Sequence, residues 1–415
     1  MKKVLIAIPQ YGIGGFGTFA MTLGSGLRAR GYSCDLYCNR RRAGFEKELG
    51  SVFSEIHYGQ RALESPEVFI SKTQQFLLRG EYAAIFNSAV THVQAAMAQL
   101  QGGCRLSVIH APIESELVMG CSGADRLSWI VAVSENIRRK IPPGISNVKV
   151  IPVGFGMGIS DTDGQEDIQR RSHDQTRIAY LGRLCEEQKR ISRIVEIARM
   201  LRSAGADFRF EIGGEGKDAR RFISALKDVT GSERVRYWGV VARGDVKRFW
   251  AEADVCLLTS DYEGTPHAIL EAMASGAVPV VARLEGSTDQ MVEEGRTGFL
   301  IERSDIAGYA RAILTLAADR TLFGDISARC GDVARASFSG DLMVERYLSL
   351  IDGSCVGEGG QTGLDPCLRP YLQTALRYHA GGLYWHLQDR YSSLKKRCRA
   401  WGHQLCGGRE VLDPE

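Results

Sequence analysis

No apolar run in the 415 residues approaches the roughly 20 that a membrane-spanning helix requires. The opening residues, MKK, lead straight into a short strand-like segment and not into a leader. Both absences predict a chain that stays in the cytoplasm. The 11 cysteines form no C-x-x-C pair, and none has a histidine at metal-binding spacing. A disulfide scaffold and a zinc module are therefore excluded, and the thiols should be reduced. Cys34 and Cys38, two turns of the pleat apart, read as buried neighbours on one strand face. Charge of one sign is also scarce: 52 basic residues meet 49 acidic ones, for a formal net charge of +3. Residues 369–409 carry eight basic residues against Asp389 alone, so the rest of the chain is mildly acidic. That balance argues against a nucleic-acid partner.

What is present is the alternation of a large α/β protein. The length exceeds a single core, so two domains are expected. In the first half the strand candidates are VLIAIP, SCDLYC, AAIFNS, LSVIHA, WIVAVS and NVKVIPVG, with helical patterns between them. The polar stretch at residues 160–176, SDTDGQEDIQRRSHDQT, reads as an interdomain linker. A second series then follows: RIAYLG, FRFEIGG, VRYWGV, DVCLLTS, VPVVAR and GFLI. Alternating strands and helices predict parallel, doubly wound sheets, with ligands bound beyond the carboxyl ends of the strands. Domains are expected at 1–165 and 166–340, with a closing helix at 341–352 and a loop and tail over 353–415.

Several motifs compete for the chemistry. Gly12, Gly14 and Gly17 spell G-x-G-x-x-G, which at a strand end would suit a dinucleotide and an oxidoreductase. Three residues separate that motif from its strand, however, and Asp35 falls inside the second strand instead of at its end. Asp161 and Asp163 form a D-x-D, but no rigid element precedes them, so a solvated loop is the reading and no metal is assigned. The segment DVCLLTSDYEGTPHAILEAMASGAVPVVA, residues 254–282, is richer. Thr265 reads as an N-cap and Pro266 as the first helical residue, leaving the amides of His267, Ala268 and Ile269 as an anion site. Glu263 and Glu271 flank that helix start with seven residues between them. Arg183 follows one strand and Lys189 lies six residues on, both able to reach a diphosphate. Gly214 and Glu215, in IGGEG, form a turn suited to close backbone approach.

Residues 177–302 resemble the C-terminal domain of the retaining glycosyltransferases of family four, on YLGRL with QK, GGEG, WGVV, the E-x7-E segment and VEEGRTGFLI. The first half is similar more loosely, through GIGGFGT, VIHA, VAVSE and VIPVG. The resemblance implies the α/β GT-B fold of two facing Rossmann-like domains and a retaining, metal-independent hexosyltransferase with a nucleoside diphosphate sugar as substrate and no cofactor. It implies that Arg183 and Lys189 bind the donor diphosphate, that Glu271 holds the ribose, and that Glu263 and His110 serve the transferred sugar or the acceptor. Gly14 and Gly15 would close over the donor, and Gly214, Glu215 and the amides at His267, Ala268 and Ile269 would line it. Lys189→Ala and Arg183→Ala should then cut turnover with little effect on folding. Val153 and Gly156 stand where the family commonly has an amide and a carboxylate. A saccharide or lipid-linked saccharide is the expected acceptor, in glycan or cell-surface polysaccharide assembly. A silent nucleotide-sugar-binding protein and, more remotely, the oxidoreductase remain the alternatives. In the tail, Leu383, Leu387, Tyr391, Leu394, Cys398, Trp401 and Leu405 form one apolar stripe beside a basic face. That pattern suits packing on the enzyme or on a second subunit, or a peripheral helix on an anionic inner membrane face.

Overall fold

The computed structural model describes residues 1–12, 14–40, 44–59, 66–156 and 175–353. The D-x-D pair and the basic tail lie outside the described residues. The first domain holds a seven-stranded sheet of β1 (Lys3–Gln10), β2 (Ser33–Arg40), β3 (Glu55–Tyr58), β4 (Ala84–Ser88), β5 (Cys104–Ile109), β6 (Trp129–Ala132) and β7 (Val148–Val150). Its order is β3-β2-β1-β4-β5-β6-β7, and every pairing is parallel. The second domain holds β8 (Thr176–Leu181), β9 (Phe208–Gly213), β10 (Val235–Gly239), β11 (Val255–Leu258), β12 (Val278–Ala282) and β13 (Phe299–Ile301). These form a parallel sheet in the order β10-β9-β8-β11-β12-β13.

The physical cause is plain in the central strands. Val4 to Ile8 and Val278 to Ala282 are buried without a break, as strands covered by helices on both faces must be. The strand the sequence reading lacked is β3, four partly exposed residues at the sheet edge, too short to show a periodicity. Each domain has its own apolar cluster, but the chain crosses between them twice. Phe155 leaves the first domain to join the second core, where it bridges to Ser339. The helix Gly340–Asp352 then returns. Its Met343, Val344, Tyr347 and Leu350 belong to the core of the first domain. A Cβ on Gly154 would meet the Ser339 carbonyl oxygen at 2.6 Å, so a glycine is needed where the two crossings touch.

Candidate active site between the domains

The G-x-G-x-x-G motif has a structural role of its own. A Cβ on Gly17 would stand 2.1 Å from the Gly12 carbonyl oxygen, so the turn after β1 packs on the helix Gly15–Ala29 with no room for a side chain. Gly14 caps that helix with φ 154°, and Gly14 and Gly15 are exposed toward the cleft. From the other domain His267 reaches Gly15: its ring lies 3.7 Å from where a Cβ of Gly15 would be.

The loops after β8 and β11 bring the charged residues together. Lys189 Nζ lies 2.5 Å from Glu263 Oε1, with the two side chains 12% and 7% exposed. Gln188 Nε2 donates to Glu263 Oε2 at 3.4 Å and to the Tyr262 carbonyl at 3.0 Å, while its Oε1 accepts from Arg183 at 2.5 Å. Arg183 itself is exposed. The backbone here is held under strain. Arg190 has φ 48°, a left-handed conformation costly for a residue with a side chain. Asp261 fixes it, accepting from Arg190 Nε at 2.5 Å and from Arg193 at 2.8 Å. The Thr259 hydroxyl secures the same turn by donating to the Lys189 carbonyl at 2.9 Å. Gln188 is a site residue that sequence reasoning missed, although it adjoins Lys189.

The start of the helix His267–Ala274 differs from the expectation in two ways. Thr265 is not its cap: its hydroxyl donates to the Val133 carbonyl of the first domain, and Pro266 occupies the cap position. Ile269 N donates to the Pro266 carbonyl at 3.1 Å. Of the three amides expected to be open, that one is therefore engaged, and those of His267 and Ala268 remain as first-turn donors without an intrahelical acceptor. The turn at Gly214 also departs from the expectation. Its N–H donates to Gly239 at 2.6 Å, its carbonyl accepts from the Tyr237 hydroxyl at 3.0 Å, and a Cβ would meet Gly182 O at 1.9 Å. The glycine is needed for three strand ends to meet, and its backbone is already committed. Glu215 is exposed on the rim beside it and, with Lys217, Arg220 and Tyr237, lines an open groove of about 740 Å³.

His110 ends β5 and faces the cleft between Phe16 and Phe19, whose rings lie 4.9 and 4.8 Å from its own. Its Nε2 is 3.0 Å from Ser88 Oγ. Burial, helped by the neighbouring His267, pushes its pKa down to about 3. His267 is likewise pushed down to about 3 by burial and by the charge of Arg243. Both imidazoles are thus neutral near pH 7. Glu116, absent from the sequence reading, accepts the amides of His110 and Ala111 at 3.0 and 2.9 Å and so fixes the loop that carries the imidazole. Burial raises the Glu116 carboxyl, with those two amides and then the charge of Arg183 working against it. Glu271 is also raised by burial, with Arg243 opposing.

Arg243 is a third residue that sequence reasoning missed. Its Nε lies 2.9 Å from Glu48 Oε1, across the cleft. One of its terminal nitrogens is 3.7 Å from where a Cβ of Gly156 would be. The carboxylate expected at position 156 would have lain beside this guanidinium, and Glu48 takes that place. Val153, the other departure, is 1% exposed in the core. Among the described residues one group offers metal-capable atoms close together, Asp35, Glu55 and His57. These lie at the starts of β2 and β3, away from the cleft, and Asp35 is already engaged by Lys3 at 2.9 Å and the Tyr82 hydroxyl at 3.0 Å. Among the described residues no helix is long and apolar enough to cross a membrane.

Residues 175–319 match the family model "Glycosyl transferases group 1". The chain is 30% identical over 166 residues to the amylovoran biosynthesis glycosyltransferase AmsK of Erwinia amylovora, covering 39% of this chain and 40% of that protein. It is 21% identical over 378 residues to the N-acetyl-alpha-D-glucosaminyl L-malate synthase of Bacillus anthracis, covering 83% of this chain and 96% of that one. The first of these matches thus spans less than half of its relative. Among solved structures, a TarM variant of S. aureus in complex with Fondaparinux, alpha-GlcNAc-glycerol and UDP superposes with a TM-score of 0.71 at 12% identity, over 85% of this chain and 100% of that one. HepE of Anabaena in complex with UDP and glucose superposes with a TM-score of 0.70 at 17% identity, over 85% and 100%. The fold is the GT-B fold, and the second domain is similar in sequence to group 1 glycosyltransferases.

Proposed function

We propose that this chain moves a hexosyl unit from a nucleoside diphosphate sugar to an acceptor hydroxyl, with retention of configuration and without a metal, in glycan or cell-surface polysaccharide assembly. The observation that carries this reading is the convergence of Lys189 and Gln188 on Glu263, with Arg183 on the far side of Gln188. A donor diphosphate at this point meets two cations and the open amides of His267 and Ala268. As the glycosidic bond breaks, charge grows on the leaving diphosphate, and preorganised donors of this kind stabilise it where water is excluded. Glu263 is released from Lys189 toward the sugar. It has a positioning and electrostatic role, and no protein nucleophile is required. Glu271 lies one helical turn further, on the ribose side. His110, held neutral, can hydrogen-bond sugar or acceptor without adding charge.

The names of the relatives support the same substrates: AmsK is named for amylovoran biosynthesis, and the HepE and TarM structures contain UDP. The acceptor is a saccharide or a lipid-linked saccharide, and the apolar stripe of the tail with its basic face, within residues 369–409, would hold the enzyme at an anionic inner membrane face. Purified protein screened against UDP-, GDP- and ADP-sugars by thermal shift, with mass spectrometry of the products, tests the reading. A donor consumed into a glycosylated product supports it. Binding without turnover leaves a silent sugar-nucleotide binder, and reduction of NAD(P)+ in place of sugar transfer would return the oxidoreductase.

A further inference from the structure

Gly264 separates Glu263 from Thr265 in the loop that leads into the helix His267–Ala274. A Cβ at this position would stand 2.0 Å from the His110 carbonyl oxygen, 3.0 Å from its carbon and 3.1 Å from a Val133 methyl. All three neighbours belong to the first domain, and the nearest is backbone, which cannot swing aside. Around this seat the two domains meet through short polar contacts. The Thr265 hydroxyl donates to the Val133 carbonyl. Asn136 N donates to the Gly286 carbonyl at 2.8 Å. Gly286 sits at φ 70°, and a Cβ there would meet Asn136 N at 2.6 Å. Within the second domain, Ser287 Oγ donates to the Gly264 carbonyl at 2.6 Å and braces the loop from behind.

We infer that Gly264 is a positioning residue of the cleft: its missing side chain lets the His110 carbonyl seat against the loop carrying Glu263, which sets the imidazole of one domain in register with the carboxylate of the other. The inference rests on the transfer reading above for its chemical consequence, but the seat itself is a property of the two domains. Gly264, unlike Gly286, does not occupy the left-handed region. Alanine is therefore compatible with its backbone, and the three nearest atoms it would meet all lie in the opposite domain.

The full-length chain is compared with Gly264→Ala and with Thr265→Val, which removes one hydroxyl contact of the same seat without a clash. Melting temperature, binding of UDP and GDP by calorimetry, radius of gyration by small-angle scattering, and kcat and KM with the donor and acceptor from the screen are measured. Gly264→Ala should keep the melting temperature, the nucleotide affinity and the donor KM, show a larger radius of gyration, and lose about 10²-fold in kcat, the scale of a misplacement of about 1 Å. Thr265→Val should fall between it and the wild type. Wild-type turnover and dimensions in Gly264→Ala overturn the inference. So does a joint loss of stability and nucleotide binding, which would place the defect inside the second domain. If the wild type consumes no nucleotide sugar, the transfer reading falls, and the radius of gyration alone decides the seat: an unchanged value rejects it.

Discussion

The ammonium of Lys189 and the carboxylate of Glu263 lie 2.5 Å apart, and neither side chain is more than 12% exposed. Each is the other's counter-ion until an anion enters the cleft. Removing one partner leaves the other charge buried and without its counter-ion. Lys189→Ala should therefore cost on the order of 2 to 3 kcal/mol of stability, more than the small effect expected from the sequence, besides a turnover loss of about 10² to 10³. Urea unfolding and steady-state kinetics on Lys189→Ala, Glu263→Gln and the Lys189→Met/Glu263→Gln pair separate the two effects. The double variant should recover stability and remain inactive. Near-wild-type turnover in Lys189→Ala would remove the diphosphate assignment.

The two neutral histidines give the protein a pH dependence of definite sign. Their folded pKa values of about 3 lie below the ordinary value of 6.5. Above pH 6.5 neither folded nor unfolded chain protonates them, and no stability is lost. As pH falls from 6.5 toward 3 the unfolded chain takes up protons that the native chain refuses, so stability declines. Glu116 and Glu271, raised by burial, act in the opposite sense: their contribution is present below the ordinary carboxylate range and lost as pH rises through their folded values. The difference between wild type and variant isolates the histidines. His267→Leu and His110→Gln should each flatten the decline between pH 6.5 and 4 by about one proton per molecule, measured as urea midpoints across that range. A slope identical to wild type would show that the imidazole is solvated.

Arg243 and Glu48 also join the two domains, at 2.9 Å. Glu48→Gln and Arg243→Gln should each lower kcat/KM by a few-fold, on the order of 0.5 to 1 kcal/mol for a half-exposed pair. Their combination should cost no more than either alone. Gly156→Asp should restore the loss in Glu48→Gln, because its carboxylate would stand beside the same guanidinium, which is 3.7 Å from the added Cβ. Additive single effects would mean that the two residues act separately.

On the proposed function turnover should survive EDTA, since Arg183, Lys189 and the helix start at His267 would fill the electrostatic role of a metal ion. Activity lost on chelation and restored by Mg²⁺ or Mn²⁺ would bring Asp161 and Asp163 back into consideration.

The full chain should co-sediment with anionic liposomes at low salt and not with neutral ones, and a chain truncated after Gly360 should not. Each basic residue within 369–409 is worth about 1 kcal/mol near such a surface. Equal binding by the truncated chain would leave packing on the enzyme or on a second subunit as the role of the stripe.

The sequence disclosed the central strands because burial on both faces made them continuously apolar, whereas the edge strands β7 and β10 are partly exposed and were legible through their place in the strand–helix alternation, and β3 was not legible at all. It also singled out Arg183, Lys189 and Glu263 as candidates, and the structure sets Lys189 against Glu263 and Arg183 against Gln188 beside them. What it hid were partnerships made across space. Thr265 looks like a cap until Val133 is seen within reach of its hydroxyl. Gly214 looks open until Gly239 and Tyr237 are found to occupy its backbone. Arg243 follows the WGVV segment but carries no pattern of its own, and its partner is Glu48, 195 residues away, a distance no local pattern records. Glu116 holds the amides of His110 and Ala111, six and five residues before it, through a local turn that the sequence reading did not weigh.

The return of the helix Gly340–Asp352 to the first domain matters for anyone wishing to recombine this protein. Tyr347 packs edge-on against Phe19 and Phe86 at 5.9 and 5.6 Å, and Val344 sits where a Cβ on Gly26 would strike it at 2.4 Å. Arg30 binds Asp341 and Glu345, and the Leu350 carbonyl accepts from the Trp129 indole. The first domain is therefore a discontinuous unit, assembled from two separated stretches of chain. A chimera that swaps it by a single cut between residues 156 and 175 would inherit a foreign plug in its native socket. Grafts that carry residues 340–352 together with their own Gly26 and Phe19 should express as soluble proteins where one-cut grafts do not, and homologous exchange between such genes should respect two crossovers instead of one.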